Sequence, residues 1–142
     1  MSTKKRGLGR GLEALLGTSK AAAADGVIVP MQCEYFALEG LSALVNTIEA
    51  LKQRLNPRLE IDGIVRTMFD VRNNLANAVS GELTAHFGDK VFRSIIPRNV
   101  RVAEAPSHGQ SILGYDKASR GGIAYLGLAG EIVRREKKKE TA

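Results

Sequence analysis

VFRSIIPRNVRVAEAPSHG, Val91 to Gly109, is the stretch whose reading decides the fold. Val91 to Ile96 is an apolar run of strand length, and Pro97 stops it. A proline directly after a strand ends pairing and leaves backbone groups open at the sheet edge. Arg98 to about Gln110 then reads as a long loop. The same arrangement stands upstream. Ile61 to Phe69 is a strand interrupted by the charge of Arg66, and MFDVRNN, Met68 to Asn74, carries it into a helix. Asn74 is suited to cap that helix and Gly88 to stop it after Phe87.

Working outward, Val27 to Pro30 (VIVP) is a short buried strand ended by proline. Met31, Tyr35 and Phe36 follow it as core residues closing a strand–helix turn. Leu38, Leu41, Leu44, Val45, Ile48, Leu51 and Leu55 recur at threes and fours, one face of a helix that Asn56 and Pro57 end. Ser119 or Gly121 opens a last helix with Ile123, Leu126, Ala129, Ile132 and Val133 on one face. The tail REKKKETA is polar and is expected to fray. Strands separated by helices predict parallel pairing through crossovers. The expected fold is α/β: a partial doubly wound parallel sheet of three strands, preceded by a flexible basic N-terminal arm. Residues 1–26 form the arm and linker, 27–135 the folded body and 136–142 the polar tail. At least one strand edge should lack a neighbour. Gly81, Gly127 and Gly130 inside helices each cost up to ~1 kcal/mol relative to alanine, which predicts a marginal body.

The 142 residues suffice for one core, and 44% hydrophobic with 25% charged residues is globular composition. A net charge of +6 favours polyanionic partners. The charge is uneven: residues 1–24 hold Lys4, Lys5, Arg6, Arg10 and Lys20 against Glu13 alone. One cysteine, Cys33, forms no internal disulfide, so a reducing cytoplasm is the direct reading. No apolar run approaches the ~20 residues of a membrane span, and a membrane partner is not expected. His86 and His108 are too isolated for a metal site. With 5% aromatics in no stacking pattern, single-strand and RNA binding are not expected. There is no helix-turn-helix signature and no zinc spacing to read bases.

The arm, KKRGLGRGLEALLG at Lys4 to Gly17, admits two readings: a disordered basic start without a role, or a docking peptide. A dinucleotide loop fits poorly, because Gly7, Gly9 and Gly11 have the wrong spacing and no strand precedes them. The final REKKK, Arg135 to Lys139, reads as the solvated end of a helix, with DNA contact a secondary reading.

IPRNVRVAEAPSHG at Ile96 to Gly109, MFDVRNNL at Met68 to Leu75 and VIVPMQCEYFALEGLSALVNTI at Val27 to Ile48 resemble the C-terminal half of ParA-type partition ATPases, the ParA/MinD deviant-Walker group. The body would then be about half of a P-loop NTPase domain. The arm resembles the N-terminal peptide of ParB-type proteins, which docks on ParA and stimulates its ATPase. The resemblance implies that Met68, Phe69, Pro97, Arg98 and Asn99 border the adenine. It implies that Arg72 and Arg101 contact DNA without sequence preference. It implies that Lys4, Lys5, Arg6, Arg10 and Leu12 meet an intact ParA, with Arg10 acting in trans like an arginine finger. An intact ParA-type ATPase, ParB and double-stranded DNA are the implied partners, and the implied location is the nucleoid in the cytoplasm.

One departure matters. The phosphate-binding loop of that family ends in Gly-Lys-Ser/Thr, and this chain has no Gly-Lys dipeptide. ATP and magnesium are therefore expected by resemblance only, without tight binding, and the chain is expected not to hydrolyse ATP alone. Three readings stay open: a ParA-class partition protein, a non-catalytic modulator of an intact ParA through the arm, and a deletion-fusion remnant without function.

Overall fold

The computed structural model describes residues 23–142. Three strands, β1 (Gly26–Gln32), β2 (Glu60–Phe69) and β3 (Val91–Pro97), form one sheet in the order β1-β2-β3. Both pairings are parallel. Parallel neighbours need long crossovers, and the helices α1 (Ala37–Arg54) and α2 (Asn74–Phe87) supply them. After β3 come two short helices, α3 (Val100–Glu104) and α4 (Ile112–Tyr115), and then the long α5 (Arg120–Thr141). The expected parallel α/β arrangement is what the structure has.

The sheet is covered on both faces. On one, Val29, Met31, Cys33 and Ile64 meet Leu41 of α1 and Ala76, Val79 and Leu83 of α2. On the other, Val65, Phe92 and Ile96 meet Leu128 of α5. Strands buried on both faces read as continuous apolar runs, which is why β1 and β3 were visible in the sequence. Gly63 is required in β2, because a β-carbon there would fall inside the Phe92 ring.

Several expectations are corrected. β1 continues through Pro30 to Gln32, because β1 lies at an edge of the described sheet, where a missing N–H need not break a ladder. Asn73, not Asn74, caps α2: its side-chain oxygen accepts the Ala76 N–H at 3.2 Å. Tyr35 and Phe36 are not core. They are 75% and 70% exposed and pack edge-to-face on each other beyond the sheet. The segment after Pro97 is not an open loop. Asn99 caps α3, a 3-10 turn spans Ala105–His108, and Ser111 caps α4. The tail is the last turns of α5, which Ser119 caps at the other end. Lys139 holds those turns to Asp62 at 2.7 Å. Asp62 sits where the β1–β2 register shifts, a bulge that leaves it out of the ladder.

Candidate functional site at the carboxyl edge

In an open parallel sheet, ligands bind outside the carboxyl ends of the strands. Here a cleft of about 670 Å³ lies at that edge, walled by the ends of β2 and β3 and by the first turns of α5. Its geometry follows from local pairing. Phe69 is in register with Pro97, and the Arg98 N–H donates to the Phe69 carbonyl at 3.2 Å, so the two strands end together. The cleft brings Phe69, Arg72, Pro97 and Arg98 together, as the sequence predicts for four of its seven edge residues.

The other three stand apart from it. Met68 is 46% exposed and holds a left-handed φ of 49°, the only non-glycine among the described residues to do so. Asn99 spends its side-chain oxygen on the Val102 N–H at 3.2 Å, capping α3. Arg101 lies on α3, 3.4 Å from Asp116 and 3.6 Å from Glu104. Its guanidinium is held protonated by a hydrogen bond with Tyr115 and by those two carboxylates. Lys4, Lys5, Arg6, Arg10 and Leu12 lie outside the described residues.

Charge in the cleft is distributed unequally. Asp70 grips Arg72 with both oxygens, at 3.1 Å to Nε and 3.1 Å to the terminal nitrogen. That pairing, with the Arg72 backbone N–H, pulls the Asp70 carboxyl below its ordinary range. Arg98 and Arg120 make no side-chain ion pair among the described residues, so the cleft presents two free guanidiniums beside the apolar Phe69, Pro97, Ile123 and Ala124. Arg120, Ile123 and Ala124 were missed in the sequence. The signal was present in Ser119-Arg120-Gly121-Gly122. Ser119 caps, and the glycines let α5 start close: a β-carbon on Gly121 would strike Val102, and one on Gly122 would come within 2.7 Å of the Lys117 carbonyl.

No group of three or more metal-ligating side chains occurs among the described residues. No described helix is long and apolar enough to cross a membrane. Cys33 is buried, and burial pushes its thiol up more than Arg66 draws it down, so it is not poised as a nucleophile.

A parallel sheet with helices on both faces and a polar cleft at its carboxyl edge defines part of a P-loop NTPase-like domain. Cobyrinic acid a,c-diamide synthase from Mycobacterium smegmatis is similar with a TM-score of 0.62 and 29% identity, over 82% of this chain and 40% of that one. A structure of that enzyme with bound ATP analog and magnesium gives a TM-score of 0.64 over 82% and 41%. Residues 13–61 match a family described as an AAA domain.

The sequence narrows the class. Chromosome partitioning protein ParA of Caulobacter vibrioides is 53% identical over 126 residues, 89% of this chain and 47% of the relative. Sporulation initiation inhibitor protein Soj of Bacillus subtilis is 50% identical over 118 residues, 83% of this chain and 47% of the relative. The chain is of the ParA type, the chromosome-partition ATPases. It spans about half the length of the curated relatives it matches, 47% in both of these.

Proposed function

We propose that the chain acts in chromosome or plasmid partitioning as a ParA-class body that binds double-stranded DNA without sequence preference and engages an intact ParA-type ATPase, without hydrolysing ATP itself. The observation that carries this reading is the carboxyl-edge cleft, which joins Phe69, Pro97 and Arg98 to Arg120. Its apolar wall suits the face of a base, and its two free guanidiniums suit an anion or a base-edge acceptor. It does not suit a magnesium ion: Asp70, its one carboxylate, is already committed to Arg72. Nucleotide is therefore held weakly and on the base side, through Phe69, Pro97 and Arg98, with Met68 and Asn99 supporting the strand ends. Arg72 and Arg101 contact DNA phosphates, and the chain resides on the nucleoid in the cytoplasm.

The arm carries a second role. Lys4, Lys5, Arg6, Arg10 and Leu12 dock on the intact ATPase, and Arg10 stimulates it in trans, with ParB as the competing partner. What favours this is the dense basic and glycine pattern of Lys4 to Gly17.

The test is ATP turnover by an intact ParA-type ATPase on DNA, with this chain or its Arg10→Ala form. Stimulation that vanishes in Arg10→Ala is expected. Equal stimulation by both forms would remove Arg10 from the mechanism. No effect from the soluble chain would remove the modulator role and leave a DNA binder or a remnant. The chain alone should show no turnover above a no-protein control.

A further inference from the structure

The largest cleft of the described residues lies at the opposite end of the sheet. It occupies about 860 Å³ between the first residues of β2 and β3 and the C-terminal half of α5. We propose that this amino-edge cleft, through Lys90, Arg93, Arg134 and Lys138, is the principal surface by which the folded body grips the phosphate backbone of double-stranded DNA. This rests on the DNA-binding reading above and assigns it a different place.

Consider first what fixes the surface. Glu131 of α5 is buried and accepts the backbone N–H groups of Arg93 at 2.9 Å and Ser94 at 2.8 Å. It thereby caps the outer edge of β3 and ties the helix to it. Arg135 donates to Glu131 at 3.1 Å and to the Val91 carbonyl at 3.0 Å, with its guanidinium 4.2 Å from the centre of the Phe92 ring. Lys139 reaches Asp62 at 2.7 Å. The last turns of α5 are thus a rigid rail rather than a loose tail.

Next, consider which charges remain. Glu131 is consumed by Arg135 and the β3 backbone, and Asp62 by Lys139. Arg93, Arg134 and Lys138 line the same cleft, and their side chains have no hydrogen bond or ion pair among the described residues. Lys90 holds only the Ile61 carbonyl, at 3.0 Å. Glu60 and Asp89 are the acids left over, so the lining is net positive. Arg134 and Lys138 stand one helical turn apart on the rail.

The carboxyl-edge arginines differ. Arg72 is locked to Asp70, and Arg101 lies between Glu104 and Asp116. A phosphate must compete with those carboxylates, whereas at the amino edge it meets cations already free. DNA is favoured over a small anion because the cleft is open and its cations are spread along a helix, with no enclosed site to surround one phosphate. Duplex DNA carries about one charge per 1.7 Å of axis, so spaced cations all find a phosphate.

The experiment is equilibrium binding of the full chain to two labelled duplexes of unrelated sequence, titrated with salt. The Arg93→Ala/Arg134→Ala/Lys138→Ala variant is compared with Arg72→Ala/Arg101→Ala, and circular dichroism checks folding. The triple variant removes only exposed side chains without partners, and Arg134→Glu alone is a second, independent probe. Each phosphate contact adds roughly −0.9 to the log–log salt slope, so the triple variant should be shallower by about 2 to 3 on both sequences. Arg72→Ala/Arg101→Ala should change the slope by less. Arg134→Glu should weaken binding. If the triple variant and Arg134→Glu bind as the parent does, the proposal fails: loss in Arg72→Ala/Arg101→Ala would then leave the carboxyl edge as the DNA face, and loss in neither would leave the arm. A parent chain that does not bind DNA at low salt would overturn the DNA-binding reading itself.

Discussion

The two ends of the sheet carry arginines of the same kind in opposite states. At the carboxyl end Arg72 is taken up by Asp70, and Arg101 by Glu104 and Asp116. At the amino end Glu131 takes up Arg135, and this leaves Arg93 and Arg134 free. The same chemistry also has different consequences for the fold. The Asp70–Arg72 pair is an exposed loop contact that spans two residues. The Glu131 cluster is buried, spans two elements, and satisfies two N–H groups of an edge strand. A count of arginines therefore says little about which charge is available to a ligand or which ion pair supports the fold.

Removing the buried cluster is the largest test of that contrast. Glu131→Ala leaves the Arg93 and Ser94 N–H groups and the Arg135 guanidinium without their acceptor. A loss of about 2–4 kcal/mol is expected, read as a fall in urea midpoint. Asp70→Ala should leave the midpoint where it is, since exposed pairs contribute little. Equal falls would erase the distinction. A smaller effect is expected from Gly63→Ala, which drives a methyl into the buried Phe92 ring that Arg135 lies over. About 1–3 kcal/mol should be lost, with the carboxyl-edge cleft unaffected in nucleotide binding.

Acid should divide the two ends as well. Burial pushes the Glu131 carboxyl up, but the N–H groups of Ser94 and Arg93, with Arg135, outweigh it and leave the carboxyl below its ordinary value of 4.5. A group depressed in the folded state contributes stability that is present above its unfolded value and lost as pH falls through its folded one. The parent chain should therefore lose urea resistance as pH drops below about 4.5. Glu131→Gln should start less stable and show a flatter acid limb. Asp70→Asn, altering a carboxyl also depressed but exposed, should follow the parent curve closely. An unchanged acid limb in Glu131→Gln would show that another carboxylate governs it.

The alternation of strand and helix was legible because each of β1, β2 and β3 is an apolar run between helical periods. Pro30 misled, because a proline stops an interior strand and is tolerated in an edge strand, and position in a sheet is not a local property. The helical content after Pro97 was hidden for a related reason: α3 and α4 are held by Asn99 and Ser111 caps and by α5 behind them, not by an apolar face of their own. Half of the carboxyl-edge cleft was visible as strand ends. Arg120 was not, since its place depends on how closely Gly121 and Gly122 let α5 approach. The amino-edge cleft had no motif at all. It exists only because Glu131 and Lys139 fasten α5 along the strands.

The smallest expected effect returns to the carboxyl edge and to Met68. Its φ of 49° is a conformation that side chains other than glycine and asparagine avoid, at about 1 kcal/mol or more. It lies between Arg66 and Phe69, where the β2–β3 register shifts, so this turn sets the spacing of the strand end that presents Phe69 to the cleft. Met68→Gly should relieve the strain and lose some chain entropy, leaving stability near the parent's. Met68→Val adds a branched β-carbon at the same φ and should cost about 1 kcal/mol more than Met68→Gly. If the strain serves the cleft, nucleotide binding should weaken in Met68→Gly while DNA binding at the amino edge stays unchanged. Equal nucleotide binding in parent and Met68→Gly would mean that the strain is a by-product of register rather than a device of the site.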